Sequence, residues 1–432
     1  MDIETPSLRI ACADLNGQSR GKRLPSRHAD RLEFEGHRAP LSMLSTDIFG
    51  GIQGLSSGNP DGQLRMTERG PVPMPWLTPS ASLLPMWMFT DDGTASDICP
   101  RHALARVIAR YTRRGWSIRV SADLGFMLVD DSGPGLRPAI SPVTRRPISS
   151  SGPQDLAAID GFSAYFDAVQ SGAEAMELPL FAISAGATAG QYEMGFSPQS
   201  AMRLADDLWL AKSLIRGTAR AQDLAATFMA NPMEQAKGSA LRLSISLHNK
   251  DSKNLFDNGL HAGSDLLHKA VAGCVSCMAG TTLVFAPHSN SFARLVPDAE
   301  APTGAAWGYE NRTAAIRIPA GDPATRRLEH RTAGADTNPY LVLAAILGGL
   351  LMGIEDDLTT PDPIIGNAFE QRILQFPMDW DGAIERFANS PRAARIFPKP
   401  LIDAFTQLKR REQKRLSKLD PHEELASFLE TV

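Results

Sequence analysis

The chain has 432 residues, 43% of them hydrophobic and 21% charged, with a formal net charge of −4; this is an ordinary globular balance with room for two or three domains, and it excludes a disordered chain. Without a basic stripe or a dense Lys/Arg block, a nucleic-acid or membrane-surface partner is not expected, and a small-molecule partner is. Four cysteines, Cys12, Cys99, Cys274 and Cys277, are too few for a disulfide framework and fit a reducing compartment, so a cytoplasmic location is expected.

The first residues, MDIETPSLRI, lack the basic-then-apolar order of a signal peptide, and no uninterrupted apolar run reaches the roughly 18 residues of a membrane span. From Leu8 to about Trp87, short alternating runs such as LRIACADLNG and SASLLPMWMF, broken by Gly and Pro, predict a small strand-rich module. CPRHALARVIARYTRRG then reads as an amphipathic helix, with Leu104, Val107, Ile108 and Tyr111 on one face and arginines on the other. SIRVSADLGFMLVDD follows as an apolar strand, and residues from about 132 to 155 read as a Pro/Ser/Gly-rich loop. A long helix is expected over Pro198 to Gln222, and a second over NPYLVLAAILGGLLMGIE, with Pro339 in its first turn. The lone C-x-x-C of VAGCVSCMAG predicts buried helix packing rather than a metal or redox pair, since no second pair accompanies it. The tail from Lys399 through Glu430 is charged and helical, which predicts a surface or subunit-contact element. The whole reads as α+β with two domains and a boundary near Asp97.

Between Asn290 and Tyr340 the chain spaces Arg294, Glu300, Arg312, Arg317, Arg327, Glu329 and Arg331 among short apolar runs. Arginine presents a flat five-donor fork that stays ionised at ordinary pH and suits phosphate and carboxylate oxygens, so this spacing suggests a polyanion site. AAIRI predicts a buried strand carrying Arg317. RRLEHR, if a strand, places Arg327, Glu329 and Arg331 on one face; a solvated ionic ladder on a sheet edge is the alternative.

DLNGQSRGKRLP, the PR of CPRHAL, AGQYEMGFSP, ATFMANP, GSALRLSISL, NLF, NSFARLVP, NRTAAIRIP and RRLEHR followed by NPYL, in this order, resemble the glutamine synthetase family along nearly the whole chain. The resemblance implies an N-terminal β-grasp domain (1–97) and a catalytic-type domain (98–432) whose antiparallel strands line a funnel. It also implies ring-shaped homo-oligomers, hexamer or dodecamer, with active sites between subunits. The family's reaction phosphorylates the γ-carboxylate of glutamate with ATP and then displaces the phosphate with ammonia or an amine; such transfer is mostly positioning and charge neutralisation. Carried over by position, Arg312, Arg317 and Arg327 would hold phosphates, with Arg312 also catalytic, and Ser246 would contact the nucleotide. Arg294 and Arg331, with Gly238, would hold the amino-acid substrate, and Glu300 would be a flap carboxylate that accepts a proton. Asp47 lies where the family's small domain supplies an aspartate that helps deprotonate ammonium; an Asp capping a Gly-rich turn is the alternative.

The chain departs from the family at the metal shell. The E-x-E position reads DLG, keeping Asp123 and leaving Gly125; a further glutamate falls on Ala185; and the two histidine positions are Arg242 and Ser244. Asp123, Glu193 and Glu329 remain, enough for one Mg²⁺ or Mn²⁺ completed by phosphates and water but not for the family's full cluster. Lys237 and Arg242 replace an asparagine and a histidine, either to clamp a differently placed carboxylate or to fill a vacant metal site with fixed cations. Three functions stay open: an ATP-dependent carboxylate–amine ligase with a reduced metal site, a non-catalytic sensor or scaffold, and a metal-independent amide hydrolase or γ-glutamyl transferase. Native glutamine synthesis is not expected.

Overall fold

The computed structural model describes residues 5–52, 58–133, 135–149, 152–233, 237–297 and 301–432. Its first strands are β1 (Ser7–Ala13), β2 (Ser19–Pro25), β3 (His37–Pro40), β4 (Asp61–Met66), β5 (Val72–Met74) and β6 (Ala81–Phe89), with helix α1 (Ala29–Glu35) between β2 and β3. They form one sheet in the order β2-β1-β6-β4-β3, with β5 on β6. The β1–β6 contact is parallel and the remaining pairs are antiparallel. Because side chains alternate across a strand, Leu8, Ile10 and Cys12 of β1 fill one core with Leu84, Met86 and Met88. Ala11 and Ala13 face the opposite way and join the main core of the chain. This is the β-grasp-type module anticipated from the resemblance.

The second sheet is built from β7 (Ser117–Asp130), β8 (Arg137–Pro138), β9 (Leu180–Ala185), β10 (Gln191–Ser200), β11 (Ala225–Thr227) and β12 (Leu241–His248). A short pairing strand β13 (Gly304–Ala305) follows, and then β14 (Trp307–Tyr309), β15 (Ile316–Ile318) and β16 (Leu328–His330) complete the sheet. The order is β14-β15-β16-β12-β7-β10-β9, with β8 and β11 also on β7, and β13 pairs with β17 (Leu374–Gln375). The helices are α2 (Pro100–Thr112), α3 (Leu156–Asp160), α4 (Ser163–Ala175), α5 (Ala201–Ala221), α6 (Asp265–Phe285), α7 (Ser289–Phe292), α8 (Pro339–Glu355), α9 (Trp380–Ala388), α10 (Pro391–Ile396), α11 (Lys399–Leu416) and α12 (Pro421–Leu429). The class is α+β, as expected.

Strand β12 shows why the sheet has one dry face and one wet one. Leu241, Leu243, Ile245 and Leu247 are buried, while Arg242, Ser244, Ser246 and His248 alternate with them on the more open side. The dry face packs on α5, which lies against β7 and β10. Behind it, α6 and α8 approach so closely that a Cβ on Gly273 would sit 2.2 Å from the Gly349 carbonyl oxygen, which explains the glycines inside two apolar helices.

Several expectations need correction. Pro198 is not the start of a helix: it belongs to β10, and α5 begins at Ala201, because strand pairing across a bulge after Phe196 continues through Gln199 and Ser200. Helix α6 is long and apolar enough to cross a membrane by length and composition, yet 72% of that window is buried inside the protein. Cys274 and Cys277 lie on its buried surface as free thiols. Arg101 is not on an outward face of α2: it is buried and ion-paired to Asp206 at 3.0 Å. Nor is the tail a plain surface element. Lys409 and Glu412 of α11 are fully buried, 2.9 Å apart, and Glu412 also accepts from Asn16 Nδ2 at 2.7 Å and from the Ile48 amide at 3.0 Å.

Candidate active site

The antiparallel register assembles the carboxylates from distant sequence. Arg242 of β12 stands opposite Asp123 of β7. On the other side of β7, Gly195 of β10 stands opposite Asp123 and Glu193 opposite Gly125. Ser244 of β12 stands opposite Glu329 of β16, and Arg317 of β15 opposite Glu329 as well. All of these sit on the wet face, so Asp123, Glu193 and Glu329 converge although some two hundred positions separate the first from the last.

Each carboxylate already has a guanidinium. Arg242 reaches diagonally across β7: its Nη2 donates to Glu193 Oε2, and its Nε lies 3.8 Å from Asp123 Oδ2. Glu329 is held from both sides, by Arg317 at 3.2 Å and Arg331 at 2.5 Å. The expected row of Arg327, Glu329 and Arg331 along RRLEHR does not form: Arg327 precedes β16, and Arg317 from the neighbouring strand supplies the second cation on Glu329. Arg327 instead approaches the Thr325 carbonyl at 3.5 Å. Burial works to lower the Arg242 guanidinium, yet Glu193 and Asp123 outweigh it and hold its pKa above the ordinary value. Burial, helped by repulsion from Glu193 and Glu329, pushes the Asp123 carboxyl up against the pull of Arg242.

Arg294 lies behind this row, 3% exposed, with Nη2 donating to the Thr332 carbonyl. Burial lowers its pKa to about 10, with Arg242 and Arg331 adding repulsion and Asp336 opposing. Burial likewise lowers Arg331. The Nε donors of Arg294, Arg317 and Arg331 are buried with no hydrogen-bond partner. Buried donors left over in a cluster of cations are suited to an anionic ligand.

Gly238 is placed by necessity: its φ is +78° and a Cβ would lie 2.5 Å from the Ala230 carbonyl oxygen and 2.8 Å from Arg294 Cγ, so only glycine lets this turn press on the Arg294 stem. The Lys237 amide donates to Thr188 Oγ1 at 2.9 Å. Sequence reasoning missed Gln191, whose amide nitrogen donates to the Gly238 carbonyl and whose oxygen accepts from the Thr188 amide at 3.1 Å, tying the two loops together. It missed Glu310 too, which binds Arg317 at 3.0 Å. Its place two residues before Arg312 was the available signal.

The remaining expected residues lie apart from the cluster. Arg312 is exposed and lines a cleft of about 410 Å³ with Tyr309, Glu310 and Ile364. Ser246 is two positions beyond Ser244 on the same face and bonds His248 at 3.0 Å. Asp47 is buried and its Oδ1 accepts from the Phe49 and Gly51 amides at 3.0 and 2.7 Å. Those contacts make Oδ1 a cap of its own loop, which the Ile48 bond to Glu412 also anchors. Glu300 lies outside the described residues.

The family resemblance implies divalent metal, and the carboxylate trio has the right chemistry for a hard cation. The pairings do not fit a multi-ion cage, however. Among the described residues no group of three or more His, Cys, Asp or Glu side chains is arranged to hold a metal ion, and Gly125 supplies no second ligand on β7, where a Cβ would make a tight contact at 3.0 Å with the Ala240 amide nitrogen.

Residues 97–426 match the family described as glutamine synthetase, catalytic domain. Among curated relatives, γ-glutamylputrescine synthetase PuuA of Escherichia coli (strain K12) is 31% identical over 444 residues, covering 99% of this chain and 92% of the relative. A glutamate–isopropylamine ligase of Pseudomonas sp is 27% identical, covering 99% and 95%. The ligand-free structure of GmaS superposes with a TM-score of 0.85 at 23% identity, over 99% of this chain and 97% of that one, a likeness of fold. By a match over most of its length, and by 31% identity along nearly all of it, this chain belongs to the glutamine synthetase family.

Proposed function

We propose that the protein is an ATP-dependent carboxylate–amine ligase that joins an amine other than ammonia to the γ-carboxylate of glutamate, or of a related acid, through an acyl phosphate. The observation that carries this reading is the convergence of Arg242, Arg317 and Arg331 at one sheet face with Arg294 behind them, in a chain similar over nearly its full length to two enzymes named for joining amines to glutamate. In the first step a γ-carboxylate oxygen attacks the terminal phosphorus of ATP, and ADP leaves. In the second the amine nitrogen attacks the acyl carbon, phosphate leaves with the former C–O pair, and the amine gives up a proton.

The chain's contribution is position and charge. Arg294 and Arg331, on the rigid floor beside Gly238, hold the acid's carboxylates. Arg317 and Arg327, with Arg312 in the cleft beside Glu310, neutralise phosphate oxygens, and Ser246, farther along β12, contacts the nucleotide. Lys237 and Arg242 add cations on the acid side. Asp47 and Glu300 take the proton-accepting roles, Asp47 from a neighbouring subunit of a cytoplasmic ring, hexameric or dodecameric, with the module boundary near Asp97. Mg²⁺ or Mn²⁺ accompanies ATP in fewer copies than usual in the family.

The test is ADP release from the purified chain with ATP, Mg²⁺ and glutamate across a panel of amines, including putrescine, isopropylamine and ammonia, with product masses recorded. ADP should appear only when acid and amine are both present, with ammonia the poorer acceptor. No release with any pair overturns the reading. The pairing of all three carboxylates with guanidiniums favours a second reading, a non-catalytic sensor; calorimetry showing tight nucleotide binding that requires Mg²⁺ counts against it.

A further inference from the structure

We infer that Arg242 is a built-in cation, its guanidinium filling the seat between Glu193 and Asp123 that a divalent ion would otherwise take, so that this part of the site is closed to metal. The inference rests on the ligase reading for its chemical consequence, which is that the acid side of the site is neutralised by a tethered charge rather than by an exchangeable one.

Geometry is the first support. A side chain starting on β12 opposite Asp123 is long enough to cross β7 and meet Glu193, which lies one pair farther along on β10. Neighbouring strands lie about 4.8 Å apart, so the diagonal spans two strand spacings, which arginine bridges and a histidine at 242 would not. Both strand positions flanking that path are bare: Gly125 lies opposite Glu193, and Gly195 lies opposite Asp123, where a Cβ would come within 3.3 Å of Asp123 Oδ1.

Charge is the second. Arg242 alone serves both Asp123 and Glu193, while Arg317 and Arg331 are both taken by Glu329, so among the described residues no other guanidinium is paired at the Asp123–Glu193 seat. Arg242 is only about a quarter exposed, as is Glu193, so the pair sits where Coulombic attraction is stronger than at the surface. A divalent ion entering beside Glu193 would have to displace a guanidinium with nowhere equally favourable to go, leaving a partly buried charge uncompensated. The held cation and an ion therefore exclude one another.

Mn²⁺ binding to the full chain, counted by electron paramagnetic resonance without nucleotide, tests this directly. In the unaltered protein the number of ions bound should be the same with and without Glu193→Gln. Arg242→Ala should add one Mn²⁺ per chain, and the double variant Arg242→Ala/Glu193→Gln should lose that added ion. A lower count in Glu193→Gln alone, or no gain in Arg242→Ala, overturns the inference. Circular dichroism checks folding; should Arg242→Ala fail to fold, Arg242→Met keeps the aliphatic stem, and the near-isosteric Glu193→Gln decides by itself. The ADP assay separates the two ideas, since the ion counts stand whether or not any amine supports turnover.

Discussion

Gly125 illustrates how much one missing side chain decides. Its amide donates to the Ala240 carbonyl at 2.8 Å, and the backbone of residues 239 and 240 lies where a Cβ would point. Restoring the family's carboxylate with Gly125→Glu would therefore overpack the β7–β12 contact rather than rebuild a metal ligand. We expect a loss of about 1–3 kcal/mol, seen as a lower urea midpoint with unchanged slope; an unaltered midpoint together with a gained Mn²⁺ would contradict it. Gly238→Ala should cost a similar amount, because it combines a φ of +78° with collision against Ala230 and Arg294. The crowding of arginines and the glycine at 125 were both legible in the sequence. What was not legible is which carboxylate each arginine takes, since Arg317 and Arg327 look alike in a string and only strand register sends Arg317 to Glu329.

At the scale of elements, apolar patterning read strands correctly where the run is largely buried, as in β7, and where a buried strand carries one polar residue, as in β15. It fell short at α11, whose lysines, arginines and single glutamate read only as a surface or subunit-contact element. Lys409 and Glu412 are fully buried because Asn16, nearly four hundred positions earlier, supplies both a donor to Glu412 and an acceptor to Lys409 at 2.5 Å. No local pattern encodes that partner. Removing one member leaves a buried charge, so Lys409→Ala should destabilise by about 3–5 kcal/mol, whereas Lys409→Met with Glu412→Leu should cost much less. Chemical denaturation of the three proteins measures this; equal losses in the single and double variants would mean that the pair is not a closed unit. Because Glu412 also receives the Ile48 amide, the single variant should loosen the loop that carries Asp47 as well.

For the molecule as a whole, the resemblance foretold both modules but not the polar seam that joins them. The loop after β1 is clasped from three directions: Asn338 at the start of α8 donates to the Asp14 carbonyl at 2.9 Å, Trp209 of α5 donates to the Gly17 carbonyl at 3.1 Å, and α11 holds Asn16. Asp14 itself is fully buried, accepting the Asn16 and Gln18 amides at 2.9 Å each and pairing with Arg20 at 2.7 Å. Burial raises its carboxyl from 3.8 to about 6 despite Arg20, so between those values the folded chain holds a proton that the unfolded chain has released. By linkage, this group's contribution to stability is complete below pH 4 and is lost as pH rises through about 6, at no more than about 1.4 kcal/mol per pH unit. Asp14→Asn removes the titration while keeping an acceptor, so it should carry a constant offset. The melting temperature of the unaltered protein minus that of Asp14→Asn should therefore rise as pH falls from 7 to 4.5, whatever the other titrating groups do to both proteins alike. A difference that stays flat, or that shrinks on acidification, would mean that the Arg20 ion pair outweighs burial and that the seam gains from the charge at Asp14.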